Sequence, residues 1–236
     1  MICVAEAMKK LLVEHAVAPP GKLVVVYSGM EVEPFLRADV HRAAVRRQLR
    51  YGDQHVVVGK IARLFHLKGH QYLIEAADQV VRRFPNVRFL LVGDGILRDR
   101  ICQQIAEAGL SQFFKLTGLV PPERIPELLS AMDMLVHVSL REGLARSLPQ
   151  ALMAGKPVVS FDVDGAAEVV IPGQTGFLVA PKSVDELAEA ICALAADPTL
   201  RGRLGQQGRV RFVEMFDHHG MTAQIRALYE ALHKDN

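Results

Sequence analysis

The first pattern that could do chemistry is a pair of cations on one short loop. Arg63 and Lys68 follow the apolar run 56–58, and Gly69 comes directly before a segment with helical periodicity. In open α/β sheets, ligands bind beyond the carboxyl ends of the strands, so both side chains are expected in a binding crevice. A guanidinium and an ammonium at a helix start suit a diphosphate. Ordinary loop charges are the alternative, because spacing alone does not separate the two.

The second pattern is a carboxylate followed by an amide. Glu142 comes after the apolar run 134–138, and Gln150 lies eight residues later in the next predicted helix. Carboxylates and amides both match hydroxyl groups, so these side chains could hold a sugar from two sides. A solvated loop Glu and an ordinary helix-start Gln are the other interpretation.

Cofactor and metal signatures are weak. The glycine-rich phosphate loop that ends in Gly-Lys-Ser or Gly-Lys-Thr is absent, and Arg98 stands where a dinucleotide fingerprint beginning at Gly93 would need its third glycine. We therefore expect no NAD and no other cofactor. The histidine pairs at 66/70 and 218/219 have no carboxylate or cysteine at the spacing of zinc ligands, so solvated or capping roles are favoured and no metal ligand is predicted.

The elements that must position these residues are short apolar strands alternating with amphipathic helices. This alternation predicts an α/β fold with a Rossmann-like, doubly wound parallel sheet covered on both faces. The predicted strands are 24–26, 56–58, 87–92, 113–117, 134–138 and 158–161. The predicted helices are 6–15, 70–84, 97–108, 121–132, 148–154, 184–196, 200–212 and 217–232.

Composition narrows the function class. The chain has 236 residues, of which 50% are hydrophobic, and a net charge of +2, which gives no case for nucleic-acid binding. A basic cluster within 42–50 is either a solvated helix face or a peripheral contact for anionic lipid or phosphate. Three cysteines without CxxC spacing favour a reducing cytoplasm, and neither a signal peptide nor a membrane-spanning run is predicted.

The first 50 residues fit the sheet less well than the rest. A strand begins at residue 2 with no upstream sheet to join, and a charged helix ends near residue 52. This segment is typical of the end of a preceding domain, so we expect a domain boundary near residue 52.

A series of motifs along the chain carries a family resemblance. Arg63 with Lys68-Gly69 comes first. The later motifs are 92–95, 117–120, 139–155, 157–160, 164–170 and 173–179. In this order they resemble the retaining glycosyltransferases of family 4, over about residues 53–215. The resemblance implies the GT-B fold, two Rossmann-like domains with the substrate cleft between them, of which this chain would supply the C-terminal one.

The resemblance also implies a role for each matched residue. Arg63 and Lys68 would lie on the donor diphosphate, and Glu142 would be the first Glu of the family's E-x7-E motif, facing the transferred sugar. Gln150 stands in place of the second Glu, which holds the ribose hydroxyls; it keeps an acceptor but carries no charge. The other donor-site residues, in the turn beside the nucleobase and directly after Glu142, are Gly118, Leu119, Val120, Gly143 and Leu144.

Two further positions follow from the same comparison of motifs. Asp164-Gly165 replaces the usual Gly-Gly, which leaves the contacts of that loop with sugar or phosphate in question. Glu168 resembles the Glu that opens the following helix.

The implied reaction is metal-independent transfer of a hexosyl unit from a nucleotide-diphosphate sugar, with retention. The implied division is an N-terminal remnant and linker at 1–52, a nucleotide-sugar-binding domain at 53–215 and a C-terminal crossover helix at 216–236. The acceptor side would belong to the missing domain, so we expect weak donor binding and poor transfer. Without that domain, Met221, Ile225 and Leu228 would be exposed or would mediate self-association.

Three other functions stay open. A sugar epimerase of the same fold would release a changed sugar without an acceptor. A non-catalytic nucleotide-sugar-binding module is favoured by the neutral Gln150. A flavodoxin-like signalling domain would need an acidic phosphoacceptor pocket at the strand ends. The nucleobase, the sugar and the acceptor are not specified by these residues.

Overall fold

The computed structural model describes residues 1–234 as short strands alternating with helices, as the α/β pattern predicts. The strands are β1 Ile2–Cys3, β2 Val24–Val25, β3 Val56–Ile61, β4 Val87–Val92, β5 Phe114–Leu116, β6 Met134–His137, β7 Val158–Phe161 and β8 Gly176–Val179. The helices are α1 Glu6–Glu14, α2 Glu33–Leu36, α3 Arg42–Gln48, α4 His70–Arg83, α5 Arg98–Glu107, α6 Arg124–Ala131, α7 Ser147–Met153, α8 Val184–Ala196, α9 Pro198–Phe212 and α10 His218–Lys234.

The main sheet has six strands in the order β5-β4-β3-β6-β7-β8. All neighbouring strands are parallel. This is the strand order of a doubly wound Rossmann sheet. From β3 to β5 each new strand is added towards one edge of the sheet, and from β6 to β8 towards the other edge, so the strand order reverses between β3 and β6. Helices on both faces bury the central strands almost completely, which explains why β3 and β4 are nearly continuous apolar runs rather than alternating ones.

Two apolar cores lie on opposite faces of the sheet. On one face α4 packs beside α8, and the stripe predicted for α4 is buried at Leu73, Val80 and Val81. On the other face α7 packs on α9 and α6 packs on α3, with Leu129 and Leu152 fully buried. The apolar stripe of each helix is therefore the side that packs on the sheet.

The N-terminal segment forms a small β-α-β unit of its own. β1 pairs in parallel with β2, with Ile2 opposite Val24 and Cys3 opposite Val25, and α1 connects them. The strand at residue 2, for which no upstream sheet was expected, pairs with a downstream strand instead. Its partner is a short strand about twenty residues later, which a β-α-β connection of this length permits.

One carboxylate attaches this unit to the larger domain. Glu168 accepts hydrogen bonds from the backbone N–H groups of Glu6 at 3.0 Å and Ala7 at 2.9 Å, and from the Tyr27 hydroxyl at 2.7 Å. The expectation that Glu168 opens a following helix is wrong, because it ends the 3-10 helix Asp164–Glu168. Its carboxylate instead caps α1 from across the chain, where helix N–H groups favour a negative charge.

The start of α10 packs on the end of the N-terminal segment. The Met30 N–H donates to the Phe216 carbonyl at 2.8 Å, and the His218 N–H donates to the Met30 carbonyl at 3.2 Å. The Gly29 N–H lies 3.1 Å from Met221 Sδ. Met221, Ile225 and Leu228 are half-buried rather than exposed, while Tyr229 is 70% exposed. Within residues 1–234, no helix combines the length and the apolar character that crossing a bilayer requires.

Candidate functional site

Three of the predicted site residues lie at the point where the strand order reverses. The loop after β3 carries Arg63 and Lys68, and the loop after β6 carries Glu142, so the two loops leave adjacent strands at the same edge of the sheet. The backbone joins them, because the Leu140 N–H donates to the Leu67 carbonyl at 2.9 Å. In open parallel sheets this crevice is the place where ligands bind.

A glycine allows the two loops to meet. Gly69 precedes α4 with a φ of +66°, in the left-handed region that favours glycine. A Cβ at this position would lie 1.9 Å from the Val138 carbonyl oxygen. Only a residue without a side chain can therefore stand between the loop after β3 and the end of β6.

Lys68 and Glu142 form an ion pair in this crevice. The Lys68 Nζ donates to Glu142 Oε1, and the side chains are 19% and 21% exposed. The Glu142 backbone is also held, since its N–H donates to Asp164 Oδ2 at 2.5 Å. The neighbouring Gly143 carbonyl accepts from the Gly165 N–H at 3.0 Å. Asp164-Gly165, the departure from Gly-Gly, thus braces the Glu142 loop.

Arg63 is the exposed cation of the same loop. Its guanidinium lies 5.0 Å from the centroid of the Phe65 ring, and it forms no ion pair with any residue of 1–234. A backbone hydrogen bond holds this loop on the loop after β4, because the Leu64 N–H donates to the Asp94 carbonyl at 2.9 Å. Arg63 is therefore held on a fixed backbone with its charge available to an anion.

The turn predicted beside a nucleobase is open. Gly118 has a φ of +72°, and its carbonyl accepts from the Gly93 N–H at 3.1 Å. The next residue, Leu119, is 84% exposed, and its backbone N–H and C=O have no hydrogen-bond partner within residues 1–234. Val120 is half-buried against the core. Backbone groups without partners at Leu119 can pair with the edge of a planar ligand.

Gln150 and Leu144 are placed differently from the cations. Gln150 lies in α7, half-buried, and its side-chain amide has no hydrogen-bond partner among the described residues. No hydrogen bond joins it to Glu142. Leu144 packs against the core beside α7 and lies 3.3 Å from a Cβ built on Gly165. The structure therefore joins Lys68 with Glu142 directly, and leaves the Gln150 amide available.

A group of buried polar side chains under this crevice was not foreseen from the sequence. Lys60, in β3, is 1% exposed and its Nζ has no hydrogen-bond partner in the described chain. Burial, and then the charge of Lys68, lower the pKa of Lys60 to about 7, against the opposing effect of Glu142. Burial together with Lys60 and Lys68 lowers the pKa of His70 to about 3, so its ring is neutral.

His137 is a further member of this group and lies close to Glu142 of the ion pair. It ends β6, is 3% exposed, and its Nε2 lies 3.9 Å from Glu142 Oε1. Burial, followed by the charges of Lys60 and Lys68, holds the pKa of His137 well below its usual value. The signal in the sequence was a lone histidine at the end of an apolar strand, next to the Glu142 loop.

The histidine pair at the start of α10 has a carboxylate after all. Asp217 lies directly before His218 and His219, and one ligand atom from each of the three falls within 4.8 Å of the others. The expectation that this pair has no carboxylate at ligand spacing is wrong. The residue that caps the start of α10 is Asp217, whose Oδ1 accepts from the His219 backbone N–H at 3.3 Å, and not a histidine side chain.

A cavity of about 510 Å³ lies between α1 and the Glu142 loop. Met8, Leu11 and His15 of α1 line one wall, and Arg141, Glu142 and Asp164 line the other. The ion pair therefore borders a space large enough for a small-molecule ligand.

The geometry can be compared with known proteins. The family model described as "Glycosyl transferases group 1" matches residues 41–211. The chain belongs to this family.

Curated relatives agree with the family. The 2-deoxystreptamine glucosyltransferase of Streptomyces kanamyceticus is 32% identical over 82% of this chain and 51% of its own length. The alpha-D-kanosaminyltransferase of the same organism is 31% identical over 90% of this chain and 55% of its own length. This group 1 chain thus spans about half the length of the curated relatives that it matches.

Solved structures agree with the fold. The crystal structure of Anabaena HepE in complex with UDP-glucose matches with a TM-score of 0.90 and 28% identity, covering 98% of this chain and 63% of the other. A second HepE structure, in complex with UDP and glucose, matches with a TM-score of 0.89. The α/β sheet with helices on both faces is therefore that of GT-B glycosyltransferases.

Proposed function

We propose that the chain forms the donor site of a retaining hexosyltransferase that uses a nucleotide-diphosphate sugar. The observation that carries this proposal is the meeting of Lys68 with Glu142 at the switch point of the sheet, with Arg63 exposed on the same loop. Two cations match an anionic diphosphate, and a carboxylate beside them matches the hydroxyl groups of a sugar. The UDP and UDP-glucose bound to HepE make uridine nucleotides the first donors to test.

The proposed mechanism assigns the leaving-group charge to the two cations. When the glycosidic bond breaks, negative charge develops on the diphosphate, and groups that are already oriented towards it stabilise the transition state. Arg63 can bind two phosphate oxygens while Lys68 adds a second positive charge. In this proposal they do what a divalent cation does elsewhere, so transfer is metal-independent. In this proposal Lys68 moves from Glu142 to the diphosphate.

The remaining donor contacts follow from the exposed backbone and side-chain groups. We assign the nucleobase to the turn Gly118–Val120, where the backbone of Leu119 is unpaired within the described chain. The ribose is assigned to Gln150, whose amide is an acceptor and a donor without charge. Glu142, with Gly143 and Leu144 after it, is assigned to the transferred sugar.

Calorimetric titration of the chain with UDP, GDP, ADP and UDP-glucose tests this proposal. At least one nucleotide is expected to bind. Arg63→Ala and Lys68→Ala should each weaken binding by about ten- to a hundredfold, because a hydrogen bond to a charged group contributes about 1.5–3 kcal/mol. Arg82→Ala is the matched control, since Arg82 is a surface cation on α4, paired with Asp78 and remote from the crevice.

Two outcomes would contradict the donor-site assignment. The first is that none of the four ligands binds. The second is that the Arg63 and Lys68 variants bind as tightly as the Arg82 variant does. Incubation with UDP-glucose alone separates the enzyme classes, because release of a changed sugar without any acceptor would indicate an epimerase instead of a transferase.

A further inference from the structure

Two polar groups at the end of β6 are buried without partners. The Nε2 of His137 and the Oγ of Ser139 are both inaccessible to solvent, and neither has a hydrogen-bond partner among the described residues. A buried polar group without a partner costs about 1–3 kcal/mol, so most such groups in native proteins are paired. Of the two, His137 Nε2 has a potential acceptor close by, because Glu142 Oε1 lies 3.9 Å from it.

The His137 ring can act towards Glu142 only as a neutral donor. Burial and the nearby cations Lys60 and Lys68 keep the pKa of His137 low, so the ring carries no charge at neutral pH. A neutral imidazole has one N–H, and with the proton on Nε2 it can donate a single hydrogen bond. The 3.9 Å from Nε2 to Glu142 Oε1 is about 1 Å longer than such a bond.

Lys68 occupies the same carboxylate oxygen. Its Nζ donates to Oε1 of Glu142, which is also the oxygen nearest to His137 Nε2. With Lys68 bonded to it, this oxygen lies beyond hydrogen-bond reach of His137 Nε2. The Glu142 backbone is anchored on Asp164, so its side chain can turn towards His137 while the loop stays in place.

We propose that His137 is a positioning residue, which hydrogen-bonds Glu142 in place of Lys68 when Lys68 moves to the donor diphosphate. The Nε2–H of His137 then donates to Oε1 of Glu142, and the carboxylate stays oriented towards the sugar. This inference rests on the proposed function, because it requires an anion that competes for Lys68. It explains why a polar ring with no partner is kept at the end of an apolar strand.

Nitrogen NMR of the 236-residue chain, labelled with ¹⁵N-histidine, tests the exchange directly. The His137 signals are assigned by their absence from His137→Gln. On addition of UDP, the Nε2 of His137 should be protonated and its proton should move downfield, as a new hydrogen bond to a carboxylate requires. If calorimetry shows that UDP binds while the His137 signals do not move, the exchange does not take place.

A double-mutant cycle supplies the energetic test. His137→Met should weaken UDP binding by roughly tenfold, because Glu142 loses the bond that replaces Lys68. In the Lys68→Met background there is no ion pair to break, so His137→Met should have little further effect. His137→Gln, which keeps a donor, should retain most of the affinity. His70→Gln is the control, because His70 is equally buried and neutral but has no contact with Glu142.

The outcomes separate this inference from the function on which it rests. An equal loss of affinity from His137→Met in both backgrounds would mean a structural role only, and would overturn the proposal. Thermal melting of each variant shows whether it is folded. Where His137→Met does not fold, His137→Gln is measured in its place. If none of UDP, GDP, ADP and UDP-glucose binds the unmodified chain, the donor site itself is refuted, and this proposal with it. If a nucleotide other than UDP binds, that nucleotide replaces UDP in both tests.

Discussion

Replacing Glu168 by Gln should loosen the N-terminal β-α-β unit from the sheet domain. α1 has no side-chain cap of its own, because its N-cap residue is Ala5. Its first N–H groups bond to the Glu168 carboxylate instead, as does the Tyr27 hydroxyl. α1 also has no buried residue of its own, so this carboxylate carries much of its attachment.

The magnitude follows from the three hydrogen bonds. Bonds to a charged acceptor contribute about 1.5–3 kcal/mol each when buried, but Glu168 is only half-buried, so about 1 kcal/mol each is appropriate. The Gln variant keeps one acceptor oxygen and loses the charge, which should cost about 1–2 kcal/mol. The Ala variant loses all three bonds, which should cost about 2–4 kcal/mol.

Amide hydrogen exchange measures this loss where it occurs. A loss of 1.4 kcal/mol corresponds to about a tenfold faster exchange, so amides of Glu6–Glu14 should exchange about tenfold faster in Glu168→Gln and faster still in Glu168→Ala. Amides of the six-stranded sheet should be unchanged, because the loss concerns docking of a local unit.

A surface carboxylate provides the control. Glu189 is 67% exposed and pairs with Arg83 on the far side of the sheet, so Glu189→Gln should leave α1 unchanged. Tyr27→Phe should reproduce part of the effect, since burial, and then the hydrogen bond to Glu168, raise the pKa of Tyr27 and keep its hydroxyl a donor. Unaltered α1 protection in both Glu168 variants would refute the capping role.

Two further predictions concern the crevice. Because burial holds the pKa of Lys60 at about 7 instead of 10.5, the unfolded chain binds more protons over this range, and stability should rise as pH rises from 7 to 10.5. Lys60→Met should flatten that slope and raise the free energy of unfolding at pH 7 by about 1–3 kcal/mol. Urea titrations of both proteins at several pH values measure it, and equal slopes of the free energy of unfolding against pH would contradict the burial of a neutral amine. Gly69→Ala should cost about 2–4 kcal/mol and weaken UDP binding, because its Cβ would clash with the Val138 carbonyl. Gly109→Ala, at a φ of +70° but with nothing within 4 Å, should cost only about 1 kcal/mol in the same melts.

Much of the fold could be predicted from local patterns. The bounds predicted for β4, β7 and α8 agree with the structure, because each is a run or stripe of apolar residues long enough to show its period. β8 was missed as a strand. It is a four-residue edge strand that is only partly buried, so it lacks the continuous apolar run of the central strands.

Burial of polar residues could not be predicted from those patterns. Lys60 and His137 stand at the ends of apolar strands, where a polar residue normally reaches solvent. The docking of α4 and of the Glu142 loop covers them instead, and that depends on contacts far away in the chain. The pKa of each side chain is lowered by that covering, a property of the packed state alone.

The loop with Arg63 and Lys68 and the loop with Glu142 show what the sequence predicts and what only the tertiary structure decides. The residue types and the strand pattern by themselves determined an α/β sheet, a pair of cations after β3 and a carboxylate after β6. Only the tertiary structure decided that Lys68 bonds to Glu142, 74 residues away, and that Glu168 caps α1. The physical reason is that local periodicity encodes which face of an element is buried, whereas the order of strands in the sheet decides which loops become neighbours.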